Sequence, residues 1–135
     1  MPGPRFILSK EKVLEQYEKV QTVSDIVSYS SKTNQDVTKV LEDSTCCMFS
    51  VHFEAELVHL KDLSRAIFIL QATAKDQLKR LYDKGISHFI VDNESDLDIF
   101  LDFIRYDLQK QDKINLLLRI KLREHTIKTE RYFVF

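Results

Sequence analysis

Glycine and proline are scarce in this chain, two of each in 135 residues, and both prolines precede the first helical stretch. With so few backbone breakers there is no flexible linker, low-complexity tract or internal repeat, and no glycine-rich loop of the kind that cradles a phosphate. Long apolar runs are missing as well. None approaches the roughly 20 residues needed to span a bilayer, and the start Met-Pro-Gly-Pro-Arg lacks a signal-peptide core; the expected location is cytoplasmic, with no membrane partner. Neither charge sign dominates, since 20 Lys and Arg face 21 Asp and Glu for a net charge of −1. No global field therefore draws the chain to nucleic acid. Cysteine is limited to the adjacent pair Cys46 and Cys47, whose side chains diverge along a strand without the spacer of about two to four residues that zinc pairs use. His52, His59, His88 and His125 occur singly and no Ser/His/Asp signature accompanies them, so no metal site is expected.

A hydrophobic content of 44% with 30% charged residues places the chain among ordinary globular proteins with room for a modest core, read as one domain over residues 1–135. Short β-branched or aromatic runs alternate with stretches of helical length. The pattern predicts strands near 26–31, 47–52, 66–70, 87–91, 114–122 and 131–135, and helices near 10–20, 34–43, 53–61, 74–84 and 94–109. Such alternation implies βαβ units and an α/β fold with a parallel sheet. Asn34 can cap the helix carrying Val37, Val40 and Leu41. Asn93 precedes a helix whose apolar positions Leu97, Phe100, Leu101 and Ile104 recur at three and four residues, and Gly85 sits where a helix should stop.

In parallel α/β proteins the carboxyl ends of strands face the ligand crevice. Residues 28 to 34, Ser-Tyr-Ser-Ser-Lys-Thr-Asn, put Lys32 at such an end, on the same strand face as Ser30. Around Arg119, period-two alternation assigns Leu116, Leu118, Ile120 and Leu122 to one face, suited to packing under helices. The other face takes Leu117, Arg119, Lys121 and Arg123. The basic cluster Arg119, Lys121, Arg123, Lys128 and Arg131 is interrupted by Glu124 and Glu130 and matches no nucleic-acid motif. It reads as a solvated or anion-binding rim.

Residues 28–34 resemble the Tyr-Ala-x-Lys-x-Asn stretch of the fold-type III pyridoxal phosphate enzymes, the ornithine, diaminopimelate and arginine decarboxylases with a barrel related to alanine racemase. Further segments are similar in the same order. Cys47 to Leu57 looks like Phe-Asp-x-x-Ser-x-x-Glu-Leu, with Phe49, Glu56 and Leu57 matching, Ser50 standing where the aspartate belongs and Phe53 where the serine does. Ile67 to Lys75 is similar to a strand and Asn-Pro-x-Lys turn, matching at Lys75. Gly85 to Leu97 fits Gly-Val-x-x-Phe-x-x-Asp-Ser-x-x-Glu-Leu, and Leu116 to Ile120 fits Val-x-Leu-Arg-Ile. The resemblance covers about residues 25 to 135.

It implies part of a (β/α)₈ TIM-type barrel with about six parallel strands, and a decarboxylase of basic amino acids with pyridoxal phosphate as cofactor. Lys32 would be the catalytic residue holding the cofactor as a Schiff base, with Ser30, Ser50 and Arg119 beside it. A solvated lysine with a reference pKa of about 10.4 is mostly protonated at neutral pH and a poor nucleophile, so activity would require desolvation or nearby cations.

A complete barrel takes about 250 residues. The histidine that stacks on the cofactor, the phosphate-holding segments and the second domain of the family have no counterpart in this chain. The expectation is an N-terminal barrel segment inactive unless the missing strands are supplied. The alternative is a non-catalytic homologue or regulatory subunit that associates with a full-length decarboxylase. Strand 131–135, apolar after Arg131, is expected to pair with another chain or a second copy, because unpaired edges are association sites.

Overall fold

The computed structural model describes residues 3–109 and 112–120. The architecture is α/β: five strands alternate with helices along the chain, and each strand pairing described below is parallel. Among the described residues no helix is long and apolar enough to cross a membrane. The chain divides into two compact units, Met1–Ala66 and Ile67–Phe135.

In the first unit α1 (Lys10–Gln21) starts at Ser9, whose side chain accepts from the Lys12 amide and supplies the first turn with a partner it would otherwise lack. Its exposed face is laced by Lys12 and Lys19, both bonded to Glu15 at 2.6 Å, while Tyr17 is buried. Strand β1 (Ser28–Ser30) ends in a turn that leads to α2 (Gln35–Ser44), capped by Asn34 as the sequence predicts. Helix α2 buries Thr38, Leu41 and Glu42. It returns the chain to β2 (Met48–Val51), which pairs Ser28 with Met48, Tyr29 with Phe49 and Ser30 with Ser50. Burial alternates along β2: Phe49 and Val51 are fully buried, Met48 and Ser50 only partly.

A helix is expected over 53–61, but Glu54–His59 forms a 3-10 helix instead. The cause is the spacing of its apolar residues. Leu57 and Leu60 are buried while Val58 is 79% exposed; the buried pair lies three apart, which a three-residue turn stacks on one side without the longer α-helical face. The connection onward is held by Glu42, whose Oε1 accepts the Lys61 and Asp62 amides at 2.8 Å each. Arg65 closes the amino end. Its guanidinium donates to the carbonyls of Glu42, Thr45 and Cys47 at 2.6–3.0 Å and lies over the Phe49 ring, giving the end of α2 the acceptors' partners that the helix itself cannot supply.

Strand β3 (Ala66–Ile69) is buried at every position, as its unbroken apolar run requires. In the second unit α3 (Lys75–Asp83) buries Leu78 and Leu81 and stops at Gly85. The left-handed φ of 96° there lets the amides of Gly85 and Ile86 return to the Tyr82 and Leu81 carbonyls. Strand β4 (His88–Val91) pairs Phe89 with Phe68 of β3. Helix α4 (Glu94–Asp107), two residues shorter than expected, packs Phe100 on Phe89 and Phe103 on Tyr82 of α3, with ring centroids 5.5 and 5.9 Å apart. Strand β5 (Asn115–Leu118) pairs with β4, setting Leu116 beside Phe89 and Leu118 beside Val91.

That register puts Leu116 and Leu118 on the helix side, yet Leu118 is 58% and Ile120 75% exposed. The expected cover is incomplete because a parallel strand is roofed by the crossovers on both its sides, and the described residues hold only the one preceding β5. The 114–122 strand is realised as 115–118; the expected strand 131–135 lies outside the described residues.

Asp96 fixes the loop after β3. Its buried carboxylate accepts the Ala72 amide at 3.1 Å, the Thr73 amide at 2.9 Å and the Asn93 side-chain amide at 2.6 Å, and its own amide donates to Asn93 Oδ1. Asp96→Ala is expected to cost about 3 kcal/mol, because it strands buried donors of charge-assisted bonds, with Asp96→Asn falling between. Urea unfolding checks this: a loss within experimental scatter of zero contradicts the clamp. The cysteines supply a second expectation. Burial pushes the Cys47 thiol above its ordinary pKa, while Cys46 is exposed. Alkylation of the native protein at mildly alkaline pH should label Cys46 and spare Cys47 until denaturant is added; equal labelling read by peptide mass contradicts this placement.

Candidate functional site

The carboxyl ends of β1 and β2 carry a hydroxyl-rich cluster in the first unit. Ser28 and Ser50 share a hydrogen bond of 2.7 Å between their hydroxyls, which places them on one face of the pair. Ser30, on that same face by alternation, has a buried Oγ with no hydrogen-bond partner among the described residues. Ser31 is buried. Its amide and hydroxyl both donate to the Ser50 carbonyl, at 3.2 and 3.3 Å, and its hydroxyl also reaches Glu56 Oε2 at 2.9 Å. Glu56 in turn accepts the His52 amide at 3.4 Å.

Lys32 follows in the turn, two residues beyond the end of β1, exposed and without an ion pair or hydrogen bond of its side chain among the described residues. The turn is closed by the Thr33 amide on the Ser30 carbonyl and followed at once by the Asn34 cap. A strand, a lysine-bearing turn and a capped helix thus occur in the order the sequence predicts. The turn breaks the strand alternation, so the shared face of Ser30 and Lys32 does not extend as a continuous pleat.

In the second unit Arg119 lies one residue past β5. Its amide extends the ladder by donating to the Val91 carbonyl at 2.9 Å, and alternation keeps it on the face of Leu117. Its guanidinium is exposed and lines a cavity of about 290 Å³ with Asp92, Asn93 and Leu97. Among the described residues it forms no ion pair, with Asp92 of the same cavity or with any other carboxylate. Lys75 begins α3, where it bonds Asp107 at 2.9 Å and lies 5.2 Å from the Tyr106 ring centroid.

Two carboxylates do work that sequence reasoning did not assign. Glu56, following β2, reaches back to Ser31 after β1; Asp96, following β4, reaches back to Ala72 and Thr73 after β3. Each stands directly before a leucine, Leu57 and Leu97, in the segment just after its strand. That repeated acid-leucine step was the available signal. Neither carboxylate is a free reactive group, since each is engaged with loop donors. In the first unit the Lys32 amine and the Ser30 hydroxyl, and in the second the Arg119 guanidinium, form no hydrogen bond or ion pair among the described residues. No group of three or more metal-ligating side chains occurs among the described residues.

Comparison with protein-family models, with curated proteins and with solved structures finds no match for this chain.

Proposed function

We propose that the chain is the N-terminal segment of a pyridoxal phosphate-dependent decarboxylase of basic amino acids, built as part of a (β/α)₈ barrel and dependent on further strands for turnover. The observation that carries this reading is Lys32 in the turn immediately after β1, ahead of a capped helix. Parallel α/β folds gather their chemistry at such ends. Strand order supports the barrel part of the reading. Within each unit, strands adjacent in sequence are adjacent in space, the singly wound order a barrel needs and a doubly wound sheet reverses at its switch point.

The buried, unpartnered Ser30 hydroxyl fits a cofactor on this rim, as a donor still lacking its acceptor. Pyridoxal phosphate, when bound, supplies an electron sink for decarboxylation. Lys32 would hold it covalently through the unprotonated Nζ, Ser30 would donate from beneath, and the Ser28 to Ser50 bond would keep the Ser50 hydroxyl where the family has a carboxylate.

The alternative, a non-catalytic homologue that associates with a full-length decarboxylase, is favoured by two observations. Lys32 is exposed rather than desolvated, and Ser50 offers a hydroxyl already bonded to Ser28 in place of an ionised group. The two readings diverge in one titration. On the decarboxylase reading, added pyridoxal phosphate gives a visible absorbance band, and borohydride fixes the cofactor's mass on the peptide containing Lys32. Lys32→Ala should abolish both signals. Labelling spread over several surface lysines, unchanged in Lys32→Ala, rejects the cofactor role and leaves the non-catalytic alternative.

A further inference from the structure

We propose that the open edge of β1, with the cavity beside it, receives residues Arg131–Phe135 of a second copy of this chain as an added parallel strand. Among the described residues strand β1 is an end strand. Its bonds to β2 run through alternate residues, the Val27 carbonyl accepting the Met48 amide at 2.8 Å and the Ser31 amide donating to the Ser50 carbonyl at 3.2 Å. In a parallel ladder the intervening residues turn their main-chain groups the other way. The amides of Ser28 and Ser30 and the Ser28 carbonyl therefore face outward.

Beside that edge lies a cavity of about 610 Å³, lined chiefly by apolar side chains that include Leu8, Val13, Val20, Val27, Tyr29 and Val37. Most of its polar lining is already engaged. Ser9 caps α1, Lys12 pairs with Glu15, the Tyr17 hydroxyl meets Cys46 Sγ at 3.2 Å, and the Ser28 hydroxyl meets Ser50. What this edge presents is outward-facing main chain beside apolar surface, and that combination calls for another polypeptide strand rather than a small polar ligand. Strand addition meets both needs, with backbone bonds along the edge and alternate side chains entering the cavity.

The chain contains a segment of matching chemistry. Tyr132-Phe133-Val134-Phe135 consists of strong strand formers with no charge, and Arg131 leads it. In a parallel arrangement that guanidinium arrives at the amino end of β1. There Asp25 is exposed and makes no ion pair among the described residues. Reciprocal exchange between two copies gives a closed two-fold dimer with two equivalent contacts. The proposal is independent of any cofactor at Lys32 and concerns this chain by itself, since a strand completing a closed barrel would occupy the same β1 edge.

Sedimentation velocity of the full chain over a dilution series tests it. The wild type should dimerise. Val134→Asp, which puts a charge in the donated strand, and Val20→Glu, which puts one at the cavity mouth, should each raise the dissociation constant by at least about a hundredfold. Val58→Glu, at an exposed apolar site elsewhere in the unit, should leave it unchanged, and circular dichroism should show all three folded. Should a variant fail to fold, amide hydrogen exchange of the wild type decides: protection at Ser28 and Ser30 must rise with protein concentration. A wild type monomeric throughout overturns the proposal, as does a dimer indifferent to Val20→Glu or Val134→Asp, or concentration-independent exchange at those two amides.

Discussion

A parallel strand cannot meet its neighbour through a tight turn, so the chain must travel back across the sheet after every strand before it can pair again. This leaves two sets of loops, one at each end of the strands, whose main-chain groups belong to no ladder. Paired or hydrated they cost little; buried and unpaired they would undo the pairing itself. Here the solution is charged side chains that gather loop groups within each unit. In the first unit Glu56 collects donors from the segments after β1 and β2, and in the second Asp96 collects those of the loop after β3. At the amino end the Arg65 guanidinium collects carbonyls, and Glu42 takes two loop amides. Everything said of Lys32 or Ser30 presupposes loops held in this way.

Much of the layout was readable from residues whose local physics leaves few options. Asn34 and Asn93 announce helix starts because a short side-chain acceptor satisfies an amide there at little entropic cost, and both do so. Gly85 announces a stop because the return bonds demand a left-handed residue. The strands expected near 47–52 and 87–91 appear as Met48–Val51 and His88–Val91, each with one face buried. The segment 53–61 does not form its expected α-helix, because its composition suits a helix while its two buried leucines define only a short turn. Before Arg119, register sets Leu116 and Leu118 beside Phe89 and Val91, as alternation expects, while Lys121, Leu122 and Arg123 lie outside the described residues. How much of that strand is covered depends on what packs over it, which periodicity does not encode.

For the rim itself, the sequence pointed to the residue types but not to their company. A serine reads the same whether its hydroxyl is shared, as at Ser28 and Ser50, tied to a carboxylate, as at Ser31, or left alone, as at Ser30. Those three fates are set by register and by a glutamate twenty-five positions away. The open chemistry of the first unit follows from this distribution. The hydroxyls of Ser28, Ser50 and Ser31 are tied to neighbours, and the Ser30 hydroxyl has no partner among the described residues.

Ala72 carries a consequence of its own. Its backbone sits at a φ of 50°, a region that an alanine enters only at a cost, and its amide is retained there by a carboxylate twenty-four residues downstream. Until that acid has left the ribosome and been drawn inward by its helix, the bend keeps only its local bond from the Gln71 amide to Thr73 Oγ1. Maturation of the turn after β3 is thus tied to the order of synthesis, with the shape of an early loop conferred by a late arrival.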